Sequence, residues 1–247
     1  MVGAIAETLA VHLVDHIDHS GVALWLALRQ CAQMAELGGD EQHRLRQEIV
    51  LGIGGVRALR ALDLHPQVFH MNEGHAWFLT LERIRTLMED GKMSFKEAFQ
   101  YVWSTSIFTT HTPVEAGFDR FSPALVGQYL GTYADRLGIG LGGFLALGRR
   151  EPGNAAEPLN MAYLAFRASN IVNGVSRLHG EVSRRIFRDL FPRWPLSEVP
   201  VTHVTNGVHV PSWDSAATDA LWHEACGKKR WVGTMSTIEA DLKLVAD

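Results

Sequence analysis

His111 stands at the end of an apolar, β-branched stretch, with Pro113 and Gly117 close behind it. A histidine held there, just past a strand and on a stiffened loop, is placed for ligand binding, because open α/β sheets bind at the carboxyl ends of their strands. The same grammar recurs along the chain. An extended run reaches a polar residue, a small turn follows, and then a helix, at His70 to His75, Thr110 to Gly117, Asn173 to Ser176 and Thr205 to Gly207. In a mainly parallel sheet these turns share one rim. Polar strand ends on one rim suit a polyol or a phosphate better than an apolar ligand.

Other chemistries fit the residues less well. His70, Glu73 and His75 approximate an inverted zinc motif, but Gly74 intrudes and both histidines cannot share a helix face. His223 and Cys226 lack a second ligand pair. Gly52-Ile53-Gly54-Gly55 sits inside a helical stripe rather than after a strand, so those glycines predict close helix packing and not a dinucleotide loop. There is no G-x-S-x-G elbow. Glycosidases use paired carboxylates, and Glu73, Glu115 and Asp119 are available, but nothing in the sequence sets their separation. Asp119 beside Arg120 reads as a structural ion pair.

The elements that must position these residues follow from pattern. Short strands are expected at Ala10 to Val14, Gln67 to Met71, Ile107 to Thr110, Asn170 to Asn173 and Val201 to Thr205. Helices are expected at Val22 to Leu37 and from Arg44 to Leu62, where Leu45, Ile49, Ile53, Val56, Leu59 and Leu62 form one stripe. Asp40 and Ser94 are N-caps, and Ser122-Pro123 opens a further helix. Others run from Ala76 to Met88, Phe95 to Thr105, Leu159 to Ala168 and Ser176 to Leu190. Strands alternating with helices predict an α/β fold, a Rossmann-like, mainly parallel sheet flanked by helices. With 47% hydrophobic residues in 247, the chain can bury a large core. A net charge of -4, without a basic stripe, argues against nucleic acid and membrane surfaces. Cys31 and Cys226 form no disulfide framework, which points to a reducing cytoplasm. The first residues make a poor signal peptide, and no apolar run approaches the roughly 20 residues needed to span a bilayer.

Five ordered runs resemble one family, the bacterial-type α-glucan phosphorylases, over roughly Leu37 to Trp213. They are Leu37 to Asp40 with Arg44 to Gly55, Val68 to Phe78, Phe108 to Phe121, Asn160-Met161 with Asn173 to Glu181, and Val201 to Trp213. The resemblance implies part of the N-terminal half of a two-domain GT-B glycosyltransferase, with residues 1–213 a partial Rossmann-like domain and 214–247 a helical tail leading toward a C-terminal domain. It implies transfer of glucosyl from the non-reducing end of an α-1,4-glucan to phosphate, giving glucose 1-phosphate. His111 and Asn206 would grip the transferred sugar as catalytic residues. Glu73 and His75 would bind substrate on the acceptor side, and Asn173, Gly174 and Val175 would line the floor. Pyridoxal phosphate would belong to the full-length enzyme. Its Schiff-base lysine has no counterpart here, since Gly227 to Trp231 is not that motif, so the isolated chain is expected to be inactive. Departures from the family wording are Glu115 for proline, Phe118 for histidine and Trp77 for a small residue. A non-catalytic glucan-binding or assembly fragment and a sugar-nucleotide glycosyltransferase of the same fold remain open. The sequence leaves the oligomeric state and the preferred glucan undetermined.

Overall fold

The computed structural model describes residues 40–207 and 209–227, and the expected strand at Ala10 and helix at Val22 lie outside them. The chain divides into two compact units, one ending at Thr205 and one beginning at Asn206.

In the first unit Asp40 accepts a hydrogen bond from the His43 amide and opens α1 (Glu41–Ile49). The helix continues through a π turn (Val50–Gly54) into α2 (Gly55–Ala61). A Cβ added at Gly52 would lie 2.7 Å from the Leu79 amide nitrogen and 2.9 Å from Phe78 Cβ, so this helix and the next segment touch backbone to backbone. Gly52 therefore serves close packing as expected, whereas a Cβ at Gly54 or Gly55 would meet no close neighbour. One wide π turn within a helix is the local adjustment such contacts produce. Leu45, Ile49, Ile53 and Val56 are buried, whereas Leu62 is exposed beyond the helix end.

β1 (Phe69–Asn72), α3 (Phe78–Gly91), α4 (Phe95–Ser104) and β2 (Ser106–Thr110) follow. Ser94 and Glu97 form a reciprocal capping box at the start of α4. β3 (Arg120–Phe121) pairs antiparallel with β4 (Leu159–Asn160), with α5 (Pro123–Arg136) and α6 (Gly140–Ala146) between them. The expected helix at Leu159 starts later than its pattern suggested. Asn160 ends β4 and caps α7 (Met161–Arg167), accepting from the amides of Ala162 and Tyr163. β5 (Ile171–Gly174), α8 (Arg177–Phe187) and β6 (Thr202–His203) complete the unit.

The main sheet is parallel throughout, in the order β1-β2-β5-β6, and the helices flank it. An α/β fold with a parallel sheet is thus present as the sequence predicted, with no reversal of strand order among the described residues. Phe187 of α8 joins the layers of the core. It stacks on Phe118 at 5.6 Å, meets Phe166 at 4.8 Å and contacts Phe108 of β2 edge-on at 6.2 Å. The second unit contains α9 (Val210–Trp213) and α10 (Ala216–Cys226), the latter capped by Ser215. Within α10, His223 faces Asp219 of its own helix at 3.1 Å. Among the described residues no helix is long and apolar enough to cross a membrane.

Candidate functional site

Parallel pairing brings the strand ends level. Asn72 is opposite Thr109, Thr110 is opposite Gly174, and Gly174 is opposite His203. The turns that follow β1, β2 and β5 therefore leave the sheet side by side, and they carry Glu73 and His75, His111, and Val175.

His111 is held twice from the neighbouring turn. Its ring Nε2 lies 3.0 Å from Asn72 Oδ1, and its backbone N–H donates to the Glu73 carboxylate. With the amide oxygen as acceptor, Nε2 is the donor in this contact. Glu73 adopts a left-handed backbone, φ 63°. That conformation costs a non-glycine residue about 1–2 kcal/mol, so its surroundings must hold it. The Glu73 amide donates to Thr109 O at 2.9 Å, and the Trp77 indole donates to Glu73 O at 2.9 Å. Trp77, one of the departures from the family wording, is fully buried edge-on against Phe108. Here it pins the turn.

A second polar chain crosses the sheet below. His70 Nε2 meets Thr109 Oγ1 at 2.7 Å, and the Thr109 hydroxyl donates to Asn173 Oδ1 at 2.9 Å. Asn173 is buried, so its amide is fixed before any ligand arrives. At Gly174 a Cβ would lie 2.7 Å from His179 Nδ1 and 2.9 Å from the Gly180 nitrogen. Glycine is required there for α8 to begin this close to the sheet. His179 Nδ1 accepts the Val175 amide at 3.3 Å, and Ser176 caps the helix.

His75 is half-buried beside a small cleft of about 100 Å³, whose lining includes Arg44, Glu73, Thr112 and Asp119. Burial pushes its pKa below the ordinary histidine value, and the Arg44 charge adds to this against Glu73 and Asp119. The ring is therefore neutral at neutral pH, with one donor and one acceptor nitrogen, a pairing that suits a hydroxyl. Asp119 does not pair with Arg120, contrary to the sequence reading. Arg44 reaches it from α1 with a two-pronged contact, Nε at 3.2 Å and Nη2 at 3.0 Å. Arg120 turns instead to Glu115 at 2.6 Å, and Glu115 also accepts from the Tyr163 hydroxyl at 3.1 Å. Glu115 and Phe118, the other two departures, thus have built-in partners.

The structure brings Glu73 and His111 into direct contact, with His75 on the same turn as Glu73 and Asn173 on the next strand. Asn206 opens the second unit. Sequence reasoning missed Asn72, Thr109 and Arg44. All three lay inside runs already singled out, but the partner of Arg44, Asp119, is 75 residues away.

No family model matches the chain. It is 45% identical over 201 residues to glycogen phosphorylase of Mycobacterium tuberculosis, a match covering 77% of this chain and 23% of that protein. Over 170 residues it is 45% identical to maltodextrin phosphorylase of Thermococcus litoralis, covering 69% of this chain and 20% of that protein. The chain is homologous to part of the glycogen and maltodextrin phosphorylases. A more distant member, glycogen phosphorylase of Aquifex aeolicus, is 34% identical over 189 residues, 76% of this chain and 27% of its own length. The chain therefore spans about a fifth to a quarter of the length of these phosphorylases.

Proposed function

We propose that this chain forms part of an α-glucan phosphorylase and that the rim around His111 holds the glucosyl unit that moves from an α-1,4-glucan to phosphate. The observation that carries the reading is 45% identity to both a glycogen and a maltodextrin phosphorylase, in a chain whose strand ends converge on one polar rim. His111 grips the transferred sugar, and Asn206, at the start of the second unit, is a sugar-binding candidate in its own right. Glu73 and His75 face the acceptor side, and Asn173, Gly174 and Val175 form the floor. Sugar hydroxyls need partners that can both donate and accept. Bonds that tighten as the glycosyl cation develops lower the barrier. Two groups are pre-set for this: the His111 ring is oriented by Asn72, and the Asn173 amide is oriented by Thr109.

Phosphorylases imply pyridoxal phosphate, held covalently through a lysine. The residues described here do not fit its covalent anchor. Among them the lysines are Lys92 and Lys96, both exposed and neither in a strand-end turn. The lysine that anchors it is not among the described residues. The protein works in the cytoplasm.

The test is phosphorolysis by the whole protein, read as glucose 1-phosphate released from an α-1,4-glucan. His111→Ala should raise the barrier by about 2–4 kcal/mol, lowering kcat more than it raises KM for glucan. Asn206→Ala should also lower kcat. Unchanged turnover in the His111 variant would leave His111 a structural role only.

A further inference from the structure

Behind the rim lies a carboxyl group that has no part in gripping the sugar. Glu48, on the third turn of α1, is 1% exposed, and neither of its oxygens accepts a hydrogen bond. Arg44, one turn earlier, lies 3.3 Å from it but directs its two-pronged contact to Asp119. Asp119 is the more exposed carboxylate, at 29%, and belongs to the loop that carries His111. One guanidinium therefore faces two carboxyl groups. A buried carboxylate without donors is costly, and a proton removes that cost.

We propose that Glu48 is a neutral carboxylic acid at neutral pH, that it donates its proton to Asp119, and that this shared proton makes Glu48 the positioning residue of the His111 loop. The neutral acid converts an excess of negative charge into a balanced set: Arg44 positive, Asp119 negative, Glu48 bridging them. Burial pushes Glu48 well above the ordinary carboxylate range, and the neighbouring Asp119 charge pushes the same way, with Arg44 opposing. The titratable groups nearest Glu48 are Arg44 on its own helix and Asp119 on the facing loop, with Glu73 and His75 beyond them across the cleft. α1 is thereby tied to the loop eight residues beyond His111, at a distance in sequence that only a tertiary contact can bridge.

The effect on catalysis rests on the phosphorylase reading, but the proton does not. The test compares the full chain with Glu48→Gln and Glu48→Ala variants. Infrared spectra at neutral pH should show a carboxylic-acid stretch in the parent that Glu48→Gln removes. Absence of that band, or its survival in the variant, overturns the proposal. A raised native pKa gives stability that is complete below the unfolded value and lost as pH rises through the native one. Glu48→Gln should therefore melt close to the parent in acid and progressively above it toward alkaline pH. A constant or opposite difference overturns the proposal. Imidazole NMR signals of His75 and His111 should shift in Glu48→Ala and stay in place in Glu48→Gln, because glutamine keeps the donor. Equal shifts in both variants, or none in either, would remove the positioning role. If Glu48→Ala does not fold, the infrared and melting comparisons still decide. Failure of the whole protein to release glucose 1-phosphate would sink the phosphorylase reading and leave the shared proton standing.

Discussion

Two buried glutamates, 34 residues apart in sequence, sit in opposite electrostatic settings. Glu82 on α3 is fully buried. It accepts from Arg57 Nε at 2.8 Å, from Arg85 at 2.7 and 2.9 Å, and from the Tyr133 hydroxyl at 2.7 Å. Burial alone would raise its pKa, but the hydrogen bonds from Arg85 and Arg57 outweigh that and hold it below the ordinary range. Glu48 is equally buried, but it faces one arginine already committed to Asp119, and it is pushed the other way. Depth is the same in the two places. The number of donors and counter-charges decides the state. The Glu82 cluster joins α2, α3 and α5 away from the rim and acts as a structural tie, whereas the Glu48 cluster abuts the His111 loop.

The largest effect expected is at Glu82. Replacing it with alanine strands the buried Arg57 and leaves Arg85 with Glu89 alone, which should cost about 3–5 kcal/mol, read by urea denaturation. A loss no larger than that of an exposed ion pair would show that the cluster is not the tie described here. Next is Gly52→Ala. The added methyl meets Leu79 backbone at 2.7 Å, and overpacking of this kind costs about 1–3 kcal/mol. Because the helix carrying Glu48 pivots on this contact, the variant should also perturb Asp119 while leaving the Arg85–Glu82 bonds in place, a contrast that backbone chemical shifts can read. The smallest effect is at Tyr133→Phe, which removes one donor from Glu82 at a cost of about 1 kcal/mol. A lowered native pKa gives stability that is present above the unfolded value and lost as pH falls through the native one. With one donor fewer, the acid limb of the stability curve should begin at higher pH. An unmoved acid limb would mean that the two arginines alone hold Glu82 ionised.

Much of the framework was legible beforehand because it is written locally. Asp40, Ser94 and Ser122 cap the helices expected of them, since a cap needs only residues within one turn. The polar runs beginning at His70, Thr110 and Asn173 could be read from alternation and turn chemistry, and parallel pairing then had to place them on one rim. Boundaries shifted where a neighbour intervened. Asn160 became a cap because Leu159 pairs with Phe121. The three departures from family wording were visible in sequence, but their partners were not: Trp77 bonds the Glu73 carbonyl, Phe118 stacks on Phe187, and Glu115 takes Arg120 and Tyr163.

By itself, then, the sequence determined the alternation of strands and helices, the caps, the polar turns and the kinship with phosphorylases, all properties of short windows or of wording. Only the tertiary structure decided that Arg44 takes Asp119 away from Arg120, that Glu73 holds His111, and that Glu48 and Glu82, equally buried, have such different partners. The physical reason is range. Hydrogen bonds to a cap act within a few residues, whereas the field at a buried carboxyl is set by whichever distant side chains the fold packs around it.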